Sequence, residues 1–240
     1  MRTDLTCENL TLAYGGEPII KDLTYRFLRG QVYVITGKNG SGKTTLCRAL
    51  AGSLMPTGGK VQPALNVDVW SDHWGVAAVM PEDLGVYSSL SPTVIIRHIA
   101  RGRAYRNLSG VNTADMLLQQ IERLFGGQVR DTAFGKLSGG QQRFVSLLVS
   151  TINAPAVLIV DEPFTGLDAA AFKVAVDVLD THASANGIVV LTHNGGITRL
   201  PECWTILELG EHDGRHALAA GGRVPEERSV RTFPEVRSSG

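Results

Sequence analysis

The sequence predicts an α/β fold whose main sheet has parallel character, and two observations carry this. Short apolar runs of strand length alternate with stretches of helical periodicity over most of the chain. Glycine and proline clusters fall between these runs, where a chain that reverses direction needs them. A third observation adds a helical part: residues 93–125 hold apolar side chains at helical spacing with polar residues between them.

The elements run in order. Residues 5–12, 23–27 and 31–36 read as strands, with Tyr14-Gly15-Gly16 and Arg29-Gly30 as the turns between them. From Lys43 to Leu50 the pattern is helical, and Gly52 is placed to end that helix. Residues 53–80 contain Pro56, Gly58, Gly59 and Pro63, with short β-like pieces at 67–70 and 76–80. Val94, Ile95, Ile99, Met116, Leu117, Ile121 and Leu124 then recur at helical spacing. After a glycine-rich turn come a helix over 141–153, a strand over 156–160, a helix over 170–185, a strand over 188–192 and an apolar run at 204–209. The tail from Gly210 mixes acidic residues with arginines, shows little periodicity and is expected to be loosely packed.

Composition limits the function classes. A chain of 240 residues with 43% hydrophobic and 19% charged residues buries a sizeable core and is too apolar to be disordered. Lys+Arg 23 against Asp+Glu 23 gives no general attraction to nucleic acid or an anionic membrane, so no nucleic-acid partner is expected. The longest apolar stretches fall far short of the roughly 20 residues that span a bilayer. Residues 1–10 lack the apolar core of a signal peptide, and Cys7, Cys47 and Cys203 are too few and too scattered for a disulfide framework. A reducing cytosol is the expected compartment.

The chemistry begins at Gly37-Lys38-Asn39-Gly40-Ser41-Gly42-Lys43-Thr44, which matches G-x-x-x-x-G-K-[ST] between a strand and a helix. Glycines let the backbone wrap closely around phosphate and turn its N–H groups inward. The helix opened by this loop points the positive end of its dipole at the same anion. Lys43 would reach the terminal phosphates, and the Thr44 hydroxyl would ligate Mg²⁺. A second site lies at Val157-Leu158-Ile159-Val160-Asp161-Glu162, an apolar strand ending in two acids. Open α/β sheets bind ligands at that strand edge, so Asp161 would hold Mg²⁺ and Glu162 would act as general base. A third is Leu137-Ser138-Gly139-Gly140-Gln141: Ser138 is a good N-cap, and the glycines expose N–H groups at a helix start.

Together and in this order, these motifs resemble the ATP-binding cassette (ABC) ATPase family, over about residues 5–209. The resemblance implies a phosphate-loop NTPase core with an antiparallel β-subdomain, over 1–91 and 137–210. It also implies a helical subdomain at 92–136 and leaves 211–240 as an extension. Residues 37–45 look like the Walker A motif, so Gly37, Asn39, Gly40, Ser41, Gly42, Lys43, Thr44 and Thr45 are the expected ATP-binding residues, with Tyr14 stacking on adenine. Residues 157–161 look like Walker B with Glu162 as the catalytic residue beside Lys43, residues 164–168 like the D-loop, and His193 like the switch histidine. Two positions depart from the family pattern: Glu82 stands where a glutamine ligates Mg²⁺, and Asn194 comes after His193 in place of aspartate.

The family further implies a head-to-tail dimer, of identical or different cassettes, in which each ATP lies between two copies. Ser138, Gly139, Gly140 and Gln141 would then act on the partner's ATP, and losing the γ-phosphate would weaken the interface. The expected cofactors are ATP and Mg²⁺. Two functions fit. One is the ATPase subunit of a transporter, peripheral on the cytoplasmic face and driving a separate transmembrane permease, with export favoured. The other is a soluble cassette ATPase, for example of iron–sulfur-assembly type. A phosphate-loop kinase is disfavoured, because residues 137–141 would then lack a purpose.

Overall fold

The computed structural model describes residues 4–63, 77–80, 87–104, 111–152, 155–194, 200–212 and 214–220. Two sheets organise these residues. The smaller is antiparallel, ordered β2-β1-β4, from β1 (Leu5–Tyr14), β2 (Glu17–Phe27) and β4 (Gly58–Pro63). The hairpin register runs from Leu5↔Phe27 to Tyr14↔Glu17 and is interrupted near Asn9, whose φ is 48°. Leu5, Cys7, Leu10, Leu12, Ile20, Leu23 and Phe27 are all buried on one side of it. The two strands extend beyond the apolar runs at 5–12 and 23–27. Main-chain pairing carries them, and Glu17, Lys21 and Asp22 on the open face conceal it from a hydrophobicity pattern.

The larger sheet has six strands in the order β5-β6-β7-β3-β8-β9. They are β3 (Gln31–Thr36), β5 (Ala77–Val79), β6 (Val157–Val160), β7 (Ile188–Thr192), β8 (Thr205–His212) and β9 (Arg215–Ala220). All neighbours are parallel except β8 and β9. Strands β6 and β7 are buried along their whole length, as parallel strands covered on both faces must be. Alternate side chains feed separate cores. Val157 and Ile159 pack with Leu46, Cys47 and Leu50 of α1 (Lys43–Leu50) under the small sheet. Leu158 and Val160 face the opposite core, with Phe144 and Leu147 of α5 (Gly139–Thr151) and Ala175 and Leu179 of α6 (Ala169–Ser184).

That second core also takes α2 (Pro92–Ala104), α3 (Val111–Phe125) and the short α4 (Gly127–Asp131). The stripe they bury is Ile95, Ile96 and Ala100 with Ala114, Leu117, Leu118 and Ile121. Val94 (47% exposed) and Met116 (63% exposed) lie outside it, although both share the apolar spacing. The core under the small sheet is dry at its cysteines: Cys7 and Cys47 are buried, and burial pushes the Cys7 thiol up to about 12.

The described start of the tail, residues 210–212 and 214–220, is paired in a sheet and not loosely packed as expected. Residues 210–212 complete β8 and 215–220 form β9, in the register Leu207↔Ala220 to His212↔Arg215. Main-chain ladders need no apolar periodicity at a sheet edge, so the composition of this segment concealed a strand. The hairpin is tied to the small sheet. The Lys21 N–H donates to His216 Nδ1 at 3.2 Å, and Arg215 pairs with Asp22 at 3.1 Å. The expected strand at 67–70 and residues 221–240 lie outside the described residues. No helix among the described residues is long and apolar enough to cross a membrane.

The His216 contact carries a pH dependence. Burial lowers the imidazole pKa, Glu211 opposes this and Lys21 adds to it. Only the neutral ring accepts the Lys21 N–H, so the folded chain binds this proton less readily than the unfolded one. The stability is therefore fully present above the ordinary imidazole range and is lost as pH falls through it. Buried His182 titrates with the same sign. The melting temperature should fall between about pH 7.5 and 5.5. Thermal melts of His216→Asn, whose amide oxygen can accept the same bond without titrating, should show a smaller fall.

Candidate functional site

Strands β3, β6 and β7 are parallel and in register: Val34 pairs with Leu191, and Leu191 with Val160. The segments leaving these strands therefore emerge at one edge of the sheet. They are the loop at 37–42, the pair Asp161–Glu162, and His193.

The loop is closely confined. Gly37 has φ 145°, and a Cβ there would stand 2.7 Å from the Leu209 carbonyl oxygen and 3.0 Å from Ser41 Oγ. Gly42 caps α1 with φ 94° and no side-chain cap, so the first N–H groups of the helix stay free for an anion. Ser41 Oγ is buried and has no hydrogen-bond partner. Lys43 is only 8% exposed, and its Nζ donates to the carbonyls of Gly37 at 2.9 Å and Lys38 at 3.0 Å. The ammonium is held across the mouth of its own loop.

Behind the loop is a chain of short contacts. Thr44 Oγ1 donates to Asp161 Oδ2 at 2.9 Å, while the Thr192 hydroxyl donates to Asp161 Oδ1. The Glu162 N–H donates to Thr192 Oγ1 at 3.0 Å, and Thr165 Oγ1 reaches Glu162 Oε2 at 3.4 Å. Glu162 Oε1 and His193 Nδ1 are buried without partners, both at the sheet edge. The His193 main chain continues the ladder by donating to Ile35 O at 3.2 Å, and its ring meets Phe164 edge-on at 5.8 Å. Phe164 stacks in turn on buried Trp204, whose Nε1 donates to Asp180 at 3.2 Å.

Helix α5 opens with a complete capping box. Ser138 Oγ accepts from the Gln141 N–H at 3.3 Å, and Gln141 Oε1 accepts from the Ser138 N–H at 3.0 Å. Gln142 ties the approach to this helix by donating to Phe134 O and Leu137 O, both at 3.1 Å. Gly140 packs onto the turn after β6, where a Cβ would fall 2.2 Å from Gly166 O. Asp168 closes that turn by capping α6, accepting from the Ala171 N–H at 2.8 Å.

The structure thus brings Lys43, Thr44, Asp161 and Glu162 together. Among the described residues no hydrogen bond joins 138–141 to 37–45. Asn39, Gly40 and Thr45 lie on the loop and the first turn of α1. Tyr14 ends β1 opposite Glu17, Asn194 is exposed beyond His193, and Glu82 lies outside the described residues. Sequence reasoning missed Thr192. Its signal was a polar residue ending an otherwise apolar strand directly before His193.

Donors, an uncapped helix end and an unpaired buried hydroxyl suit a polyphosphate, and the Thr44–Asp161 pair suits Mg²⁺. That ion takes one or two protein oxygens and completes its shell with phosphate and water. Among the described residues no group of three His, Cys, Asp or Glu could hold a metal by itself. These features define a phosphate-loop nucleoside triphosphatase. The ABC transporter family model matches residues 20–165, and the chain belongs to that family as its ATP-binding, ATP-hydrolysing component.

The chain is 32% identical over 222 residues to a putative ABC transporter ATP-binding protein of Halobacterium salinarum, covering 89% of this chain and 91% of that one. It is 28% identical to the cytochrome c biogenesis ATP-binding export protein CcmA of Pseudomonas savastanoi, covering 87% of this chain and 94% of that protein. The zinc import ATP-binding protein ZnuC of Yersinia enterocolitica is 28% identical, over 80% of this chain and 69% of its own. In fold, the chain superposes on an ATP-binding subunit of an ABC transporter with TM-score 0.76 at 21% identity, covering 90% of each.

The Gly140–Gly166 contact lies within one chain and is testable there. Gly140→Ala should lower the stability of the isolated chain to urea by about 1–3 kcal/mol through overpacking. Gly139→Ala, where an added Cβ meets nothing within 4 Å, is the control. It should shift stability by less than about 0.5 kcal/mol.

Proposed function

We propose that this chain is the ATPase subunit of a transporter and drives substrate export through a separate membrane permease by ATP-driven closure of a cassette dimer. The observation that carries the reading is the unbroken set of contacts from the phosphate loop through Thr44 and Asp161 to Glu162, at the edge that also bears His193.

Each residue has a defined task. The loop N–H groups and the Lys43 ammonium take the anionic phosphates, with Lys43 exchanging its bonds to Gly37 O and Lys38 O for phosphate oxygens. Thr44 and Asp161 hold Mg²⁺, and Glu82 would add a further oxygen. The ion supplies neutralisation of the charge on the phosphates. Glu162, with Oε1 free of internal partners, takes the proton of the attacking water. His193, at the same sheet edge, presents an unpaired Nδ1. Tyr14 stacks on the adenine, and Gly37, Asn39, Gly40, Ser41, Gly42 and Thr45 complete the cradle.

The capping box leaves the start of α5 ordered but with N–H groups to spare, which supports a second anion contact. We read Ser138, Gly139, Gly140 and Gln141 as closing over ATP held by a second cassette. Two positive helix ends then share one polyanion, and hydrolysis removes the attraction between them. Relatives named for export and for import both align over most of their length, CcmA of Wolbachia pipientis over 95% and the phosphonates import protein PhnC 2 of Nostoc over 90%. The recurrence of CcmA among the relatives supports export. A soluble cassette ATPase remains the competing reading.

Glu162→Gln should leave ATP binding intact and lower turnover of the purified protein by roughly 10²–10⁴-fold. Normal turnover would remove Glu162 from the role of base. For the cellular role, membranes should retain the protein together with a co-purifying membrane subunit after a mild salt wash. Release of most of it, alone, would sink the transport reading.

A further inference from the structure

Asp161 and Glu162 come directly after β6, but the side chain that joins them belongs to β7. Thr192 is the last residue of that strand and is 1% exposed. Its hydroxyl donates to Asp161 Oδ1 and accepts the Glu162 N–H at 3.0 Å. A hydroxyl has one donor and two acceptor sites, so both bonds are made at once. With Oδ1 occupied by Thr192, the other oxygen, Oδ2, faces Thr44 Oγ1 at 2.9 Å. Glu162 itself has φ 50°, a backbone conformation that a non-glycine residue keeps only when its surroundings hold it there. The N–H bond to Thr192 is the hold.

We propose that Thr192 is a positioning residue of the hydrolytic site. One hydroxyl turns the Asp161 carboxylate toward the metal position and fixes the strained Glu162 backbone, so both acids are set by β7. The strand is itself rigid: Ile35 of β3 pairs with Thr192, and the His193 N–H bonds to Ile35 O at 3.2 Å. Asp161, Glu162 and His193 are therefore referenced to one point of the sheet. The proposal rests on the roles given above to Asp161 and Glu162. Valine has nearly the shape of threonine but can neither donate to Asp161 nor accept from Glu162. Serine can do both.

The test uses the full chain and a fluorescent ATP analogue, titrated with Mg²⁺ and separately with EDTA. Loss of an outer partner of a metal ligand weakens metal-dependent binding by about 10–100-fold, so Thr192→Val should bind the analogue at least about tenfold less tightly with Mg²⁺. In EDTA the same variant should stay within about twofold of the parent, because the phosphate loop is untouched. Thr192→Ser should restore the Mg²⁺-dependent affinity. Should the valine variant fail to fold, Thr192→Ala is measured in its place against the same criteria. Parent-like affinity with Mg²⁺ overturns the proposal, as does an equal loss in both conditions. Glu162→Gln run in parallel separates the two readings. If it is inactive while Thr192→Val is parent-like, the positioning role alone falls; if it turns over normally, the base assignment falls.

Discussion

The site depends on the parallel register of three neighbouring strands, β6, β7 and β3. Parallel strands paired without offset must all release their chains at the same edge. Val160, Leu191 and Val34 lie side by side, and within a few residues each strand delivers a polar group to a common space. No long-range steering of loops is needed. The apolar runs that form these strands serve two cores at once, so a slip of one residue would exchange the two sets of side chains. The burial that stabilises the sheet is what keeps Asp161, Glu162 and His193 at one edge.

The phosphate loop is shaped from outside as much as by its own glycines. On one side the β8 backbone stands so close to Gly37 that a Cβ would meet the Leu209 carbonyl at 2.7 Å. On the other, Ile19 and Ile20 of β2 would lie 3.0 and 3.2 Å from a Cβ on Gly42. The two sheets meet at this loop, and the Lys21–His216 and Arg215–Asp22 contacts join them on the outer side. Lys43 bridges two loop carbonyls and is already largely removed from water. Much of the ordering that anion binding requires is thus complete in the free chain.

Most of this was legible in the sequence because the chemistry sits where periodicity changes. Gly37 to Thr44, Asp161–Glu162 and Ser138–Gln141 each close or open an apolar element, so their surroundings could be inferred with them. The features that escaped did so for physical reasons. Strand β9 and the first half of β2 are held by edge ladders with polar open faces, which leave little hydrophobic trace. The buried face in α2 and α3 includes Ile96 and Leu118 and omits Val94 and Met116, because the packing partners, not the spacing alone, select the stripe. Thr192 was hidden because its role is relational. A threonine at a strand end has no meaning until Asp161 and the Glu162 N–H are placed around it.

Strands β5 and β6 are hydrogen-bonded neighbours, with Ala77 paired to Val157 and the Met80 N–H bonded to Ile159 O at 2.9 Å, yet 77 residues of chain depart from one and return to the other. That interval runs from residue 80 to residue 156, both included. The junction is held by main-chain pairs, and the excursion returns side chains to the core that backs it. Helices α2 to α4 are therefore both excursion and support, since Ile95, Leu117 and Ile121 lie in one core with Leu158 and Val160 of β6. Their exposed positions, Val94 and Met116 among them, can change without touching that core, whereas the buried stripe cannot. In such a plan a long departure of the chain backs the same strand whose end carries Asp161 and Glu162.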